Sequence, residues 1–197
     1  LPVLQIHIQK KGMEKLPKSG RFLLVCNHVS LADPVMLLHC FSRSQLAFIS
    51  KRENNKKFLV GPALHKLMGQ PINRENDREA LKTIVKCIQI LRDDKASVAV
   101  FPEGYIHPDR KLHHFRSGVF KIAQKAEVPI VVCTLKNTLN AIPNLLHHRH
   151  SNIEASVLEV IYPEEFMDLH TTDIAQRVYE IMAADLGPEN VSQEENA

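Results

Sequence analysis

Hydrophobic positions along the chain alternate between short continuous runs and stripes at helical spacing, with polar turns between them. Phe22-Leu23-Leu24-Val25-Cys26, Ser97-Val98-Ala99-Val100-Phe101 and Val128-Pro129-Ile130-Val131-Val132-Cys133 are continuous runs, the pattern of strands covered on both faces. Leu46-Ala47-Phe48-Ile49 and Val157 to Ile161 read as shorter strands, and Leu4-Gln5-Ile6-His7-Ile8 alternates as a half-exposed strand does. Leu81, Ile84, Val85, Ile88 and Leu91 form a helical stripe, capped by Asn76 or Asp77 and closed by Asp93-Asp94-Lys95. Ile174, Val178, Ile181 and Met182 form a second stripe, and shorter helices are expected after Asp33-Pro34 and from Ser117 through about Gln124. Alternation of strand and helix predicts an α/β fold, with a mostly parallel or mixed central sheet flanked by helices. One domain is expected over residues 1–187, with a flexible tail at 188–197.

Composition narrows the function. The chain has 197 residues, 44% apolar and 24% charged, with a formal charge of +3, which is ordinary for a globular domain. Basic and aromatic residues do not interleave as they do in a single-strand nucleic-acid binder. Four cysteines, at 26, 40, 87 and 133, lack Cys-x-x-Cys spacing and sit among apolar neighbours, so they read as reduced core thiols. Asn137 to His150 reads as a loop, and its His147, His148 and His150 invite a zinc site. Without clustered cysteine or carboxylate partners that site is incomplete, and no metal is expected. No apolar run approaches the roughly 20 residues of a membrane span. Any membrane contact is therefore expected to be peripheral, at the cytoplasmic face, unless an anchor preceded Leu1. The stretch from Phe58 to Met68, flanked by Lys56, Lys57 and Lys66, has a composition suited to a lipid surface, although packing on the sheet is the commoner fate.

Candidate chemistry gathers in the turns after two of the buried strands. Asn27-His28-Val29-Ser30-Leu31-Ala32-Asp33 leads from a strand into a helix, the place where open α/β sheets bind ligands. A histidine there acts as a general base when a carboxylate holds its other ring nitrogen. The plainer alternative is that Asp33 only caps its helix, with Ser30 completing a capping-box pattern. Pro34 argues against the box, because the residue before a proline avoids helical geometry. Asp33 is then left to cap, to bond His28, or to do both. Phe101-Pro102-Glu103-Gly104 repeats the arrangement after the second strand, with a further carboxylate and a glycine that lets backbone approach a ligand. Arg74, ending a short extended piece, has the fork suited to a phosphate. His107, Arg110, Lys111, His113, His114 and Arg116 form a basic segment able to collect an anion.

Taken together, the block at Asn27 to Asp33, Gln70 to Arg74, Phe101 to Gly104 and Val128-Pro129-Ile130 resembles the 1-acylglycerol-3-phosphate acyltransferase family in order and spacing. The resemblance spans roughly residues 3 to 165. It implies transfer of a fatty acyl group from acyl-coenzyme A or acyl carrier protein to a hydroxyl of a lysophospholipid or glycerol phosphate. The donor is a co-substrate, and no cofactor is implied. His28 would take the hydroxyl proton, Asp33 would orient His28, Arg74 would bind the acceptor phosphate, and Glu103 and Gly104 would shape the acceptor site. Asn27 and Ser30, in the first block, and Tyr105 and His107, just after the third, are expected as further substrate contacts. Where the family commonly has Thr-Arg-Ser after Phe-Pro-Glu-Gly, this chain has Tyr105-Ile106-His107. Either His107, Arg110 or Lys111 replaces the arginine, or the acceptor differs, as another lysolipid or an acylated amino-acid lipid. A non-catalytic lipid-binding module and a hydrolase are the competing classes.

Overall fold

The computed structural model describes residues 5–51, 53, 66–73 and 76–193. Arg74 and the apolar stretch from Phe58 to His65 lie outside the described residues, as does the expected phosphate contact made by Arg74. A seven-stranded sheet forms the centre, in the spatial order β1-β7-β6-β2-β5-β3-β4. Its strands are β1 (Ile6–Lys11), β2 (Leu23–Cys26), β3 (Leu46–Lys51), β4 (Gln70–Ile72), β5 (Ser97–Val100), β6 (Ile130–Lys136) and β7 (Ser151–Ile161). All pairings are parallel except β6 with β7, so the sheet is mixed and mainly parallel.

The continuous apolar runs are explained by helices on both faces. Leu23, Val25, Val98, Val100, Ile130 and Val132 share one core with α2 (Asp77–Arg92), α3 (Lys121–Ala126) and α5 (Thr171–Leu186). The alternate residues Leu24, Cys26, Ala99, Val131 and Cys133 point the other way, onto α1 (Asp33–Cys40), whose Met36, Leu37 and Cys40 are buried there. With a side-chain period of two, such strands need apolar residues at every position. All four cysteines are buried and unpaired.

Several expectations change. The stripe on α2 is rotated: Leu81 and Val85 stand exposed, while Thr83, Cys87, Ile90 and Leu91 are buried. Asn76 caps this helix by accepting the Glu79 N–H at 3.1 Å. β7 begins at Ser151, six residues before the expected Val157, because Ile153, Ala155 and Val157 alternate inward while Asn152 and Glu154 do not. Asn137 to His150 contains a short helix, α4 (Ala141–Leu146). The start of the expected flexible tail is docked: Leu112 N donates to Asn190 O at 2.8 Å and Ser192 N to Leu112 O at 2.9 Å. A residue such as Val191, bridged to Leu112, gains a ladder contact that the polar composition of the tail does not announce.

Topology creates the crevice. The chain leaving β2 crosses over one face through α1 to β3, and the chain leaving β5 crosses the other face through α3 to β6. β2 and β5 are neighbours, so their carboxyl-end loops diverge, and the gap between them is the switch point at which parallel sheets bind ligands.

Candidate active site

β2 and β5 pair with Leu23 opposite Val98, Leu24 opposite Ala99 and Val25 opposite Val100. Continued past the strand ends, the same offset sets His28 opposite Glu103. The loops meet there: the His28 N–H donates to Glu103 Oε1 at 2.8 Å. The other carboxyl oxygen, Oε2, accepts the His113 N–H at 3.2 Å. Glu103 is 2% exposed, and burial, reinforced by Asp33 and Asp109 nearby, pushes its pKa up to about 8 against the pull of the two amides. Its side chain is a brace between loops, with no free oxygen aimed at solvent.

Asp33 settles the choice the sequence left open. It is the first residue of α1, with Ala32 in the cap position making no side-chain cap, and its carboxylate turns back into the preceding loop. Asp33 Oδ2 accepts the His28 Nδ1–H, the Val29 N–H and the Ser30 N–H, each at 2.9 Å. Its Oδ1 is buried with no hydrogen-bond partner. Because a carboxylate only accepts, the proton on His28 is assigned to Nδ1 and the lone pair to Nε2. The imidazole lies flat on Phe101, with centroids 4.0 Å apart and planes 15° apart. Nδ1 is tied and one ring face is covered, and the His28 side chain remains 16% exposed.

Asn27 and Ser30 hold the loop. Asn27 is 2% exposed, and its amide donates to Leu135 O at 3.0 Å and accepts from Leu135 N at 2.8 Å. A side chain thus continues the β2 to β6 ladder past Cys26. Ser30 Oγ accepts the Ala32 N–H at 3.2 Å. The polar groups of both residues are occupied by the protein's own backbone. Gly104 has φ +93°, and a Cβ on it would stand 3.0 Å from Arg116 Nε, so the turn needs glycine and brings a guanidinium against it.

Where the resemblance leads one to expect Thr-Arg-Ser, three rings stack. Tyr105 lies on His107 at 4.0 Å and His107 on His113 at 3.5 Å. His113 Nε2 pairs with Asp109 at 2.9 Å, and this contact holds the Asp109 carboxyl below its ordinary range. The stack folds the segment back so that His113 N reaches Glu103. Arg110 Nη1 then donates to Val29 O at 3.1 Å, which places a cation on the His28 loop itself. The sequence pattern does not disclose the parts played by Phe101, Asp109 and His113. Phe101 carried a signal only as the last apolar residue before the second turn, and His113 only as one member of the basic segment.

A cavity of about 500 Å³ opens beside the loop, lined by Asn27, Val29 and Arg110 together with Lys136, Leu139 and His150. Among the described residues no group of three or more His, Cys, Asp or Glu is arranged to hold a metal, and no helix is long and apolar enough to cross a membrane.

A strand-end histidine is thus backed by a buried aspartate and braced from the neighbouring strand. The Acyltransferase family model matches residues 7–136, and the chain belongs to that family. It is 29% identical to a probable 1-acyl-sn-glycerol-3-phosphate acyltransferase of Mycoplasma pneumoniae, over 84% of this chain and 66% of that protein. It is 31% identical to the chloroplastic 1-acyl-sn-glycerol-3-phosphate acyltransferase LPAT1 of Arabidopsis thaliana, over 85% of this chain and 51% of the relative. The chain thus spans about half to two thirds of the length of these relatives. Among solved structures, the 1-acyl-sn-glycerophosphate (LPA) acyltransferase PlsC of Thermotoga maritima superposes with a TM-score of 0.67 at 27% identity, covering 92% of this chain and 74% of that one.

Proposed function

We propose that this chain transfers a fatty acyl group from an acyl thioester to the free hydroxyl of 1-acylglycerol-3-phosphate, with His28 as general base. The observation that carries the reading is the 2.9 Å bond from His28 Nδ1 to the fully buried Asp33, which leaves the lone pair on Nε2. His28 Nε2 takes the hydroxyl proton as the oxygen attacks the thioester carbonyl. The carbon–sulfur bond then breaks, and the departing thiolate takes the proton from the imidazolium. Asp33 stabilises that imidazolium while it exists. A covalent acyl-enzyme is unnecessary because the thioester is already activated. Burial also raises the thiol pKa of Cys26, the cysteine nearest the loop in sequence, well above its ordinary value, which makes it a poor nucleophile.

Asn27, Ser30 and Glu103 act as positioning residues in this scheme, fixing the loop on which His28 rides. Arg110 takes the place of the missing arginine as a contact for the acceptor phosphate, supported by its bond to Val29 O. Arg74 joins it on the strength of the family resemblance. The donor is acyl-coenzyme A or acyl carrier protein, and the acceptor is met at a membrane surface. The ring stack at Tyr105 and His107 favours one variation, a different lysolipid headgroup lying against the rings. The test is release of coenzyme A, followed with a thiol reagent, from a panel of acyl donors with lysophosphatidate. Wild type should release thiol only when acceptor is present, and His28→Ala should not. Equal release by both removes the base. Product masses with each lysolipid offered in turn decide the acceptor.

A further inference from the structure

The segment between β6 and β7 carries features that the chemistry at His28 does not use. Ala141 is 1% exposed and anchors α4 to the core, while Leu139, Ile142 and Leu146 are 45%, 40% and 72% exposed. Ile142 and Leu146, four residues apart, share one side of the helix, and Leu139 stands in the turn that leads into it. His147, His148, Arg149 and His150 follow directly and are all exposed. This basic turn is folded back on the helix rather than loose: Arg149 N donates to Asn144 O at 2.7 Å, and the Asn144 amide donates to His150 O at 3.1 Å and to Ser151 Oγ at 3.0 Å. No Asp or Glu occurs from Asn137 to Asn152, and among the described residues Arg149 has no ion pair.

We propose that Leu139 to His150 is a docking knob for an anionic lipid surface, with the Leu139, Ile142 and Leu146 side chains in the acyl boundary and the Arg149 turn at the headgroups. Exposed apolar residues bordered by an arginine, with no acidic residue in the segment to offset it, suit the interface of an anionic bilayer. The cavity beside the Asn27 to Val29 loop relates the knob to the rest of the site. Leu139, Asn140, Asn144 and His150 line it together with Asn27 and Val29, the residues on either side of His28 in the chain, so lipid held by the knob lies next to the His28 loop. The inference rests on the acyl-lipid reading for its purpose, while the docking itself is measurable without turnover.

The experiment is co-sedimentation with phosphatidylcholine vesicles and with mixed phosphatidylcholine–phosphatidylglycerol vesicles. Wild type should bind the mixed vesicles more tightly. A double variant, Ile142→Ser with Leu146→Ser, and separately Arg149→Glu, should each weaken that binding about tenfold or more, with melting temperatures unchanged because the substituted side chains are exposed. The chain has no tryptophan, so Leu146→Trp gives a single reporter whose emission should move to the blue on mixed vesicles. Undiminished binding by both variants, or an emission that does not move, overturns the proposal. So does self-association in the absence of vesicles that the double variant abolishes, since a second copy would then be the occupant. Turnover of a monodisperse short-chain acceptor should survive in the variants, and its loss would assign the stripe to the substrate cleft instead. Vesicle binding without acyl transfer by wild type would defeat the proposed reaction and leave the docking in place.

Discussion

Replacing Asp33 by asparagine separates what its carboxylate does for the loop from what it does for the reaction. Three donors converge on Oδ2 at 2.9 Å, and an asparagine with its oxygen in that place still accepts all three. Its NH₂ falls where Oδ1 now has no partner, exchanging one unpartnered polar atom for another. The loop therefore stays, but the charge is gone. A full charge about 4 Å from the imidazolium at an effective dielectric of 20 is worth about 4 kcal/mol, or roughly 10³-fold in rate. Asp33→Asn should lower kcat by about that factor, with the melting temperature within a few degrees of wild type. Asp33→Ala also removes the acceptor for three buried or half-buried donors, each worth about 1.5 to 3 kcal/mol when bonded to a charge, so it should lose stability as well as rate. The assay is thiol release with lysophosphatidate beside a thermal melt. All four protein thiols are buried, so the reagent reads the product. An Asp33→Asn variant with wild-type kcat would refute the argument, because the geometry would then be sufficient without the charge.

Glu103 makes stability depend on pH. Burial pushes its pKa from an ordinary 4.5 up to about 8 in the folded chain, so between those values the unfolded chain is ionised and the folded one protonated. Stability should fall as pH rises through that window, by up to about 5 kcal/mol in all, and level off below and above it; urea titrations at several pH values should show the slope, and Glu103→Gln should flatten it. A Cβ at Gly12, where φ is +67°, would stand 2.1 Å from Val157 O, so Gly12→Ala should cost about 3 kcal/mol or more, seen as a melt roughly 10 °C lower. Arg110→Ala should raise KM for lysophosphatidate about tenfold with kcat nearly unchanged, and should leave KM for a phosphate-free acceptor where it was; equal effects on both acceptors would remove the phosphate contact.

Strands β2, β5 and β6 were legible because burial on both faces leaves an unbroken apolar signature, as in Leu23 to Cys26. β7 was partly hidden because its first half buries one face only, and Ser151 and Asn152 look like the polar loop that precedes them. The periodicity on α2 gave the helix and part of its buried face: Leu91 is buried and Ile84 and Ile88 pack against the core, yet Leu81 and Val85 stand exposed and the buried side runs through Thr83 and Cys87, residues that a hydrophobic pattern underweights. At the site, the His28 and Asp33 pair could be read from five residues of spacing. The role of Glu103 could not, since it depends on strand register, which is set by pairing across a distance in sequence. Arg74, expected to hold the phosphate, lies outside the described residues.

The brace from Glu103 also bears on how such a chain drifts over generations. The His28 amide and the Glu103 carboxyl are 75 residues apart in sequence, yet each satisfies a polar group the other would leave stranded. A descendant that abandoned acyl chemistry would have no use for the imidazole, and His28 could change freely, because the bond runs through its backbone. Glu103 could not follow without leaving the amides of His28 and His113 unanswered. In a lineage losing its activity, the histidine should erode first and the glutamate should persist as a relic of the architecture.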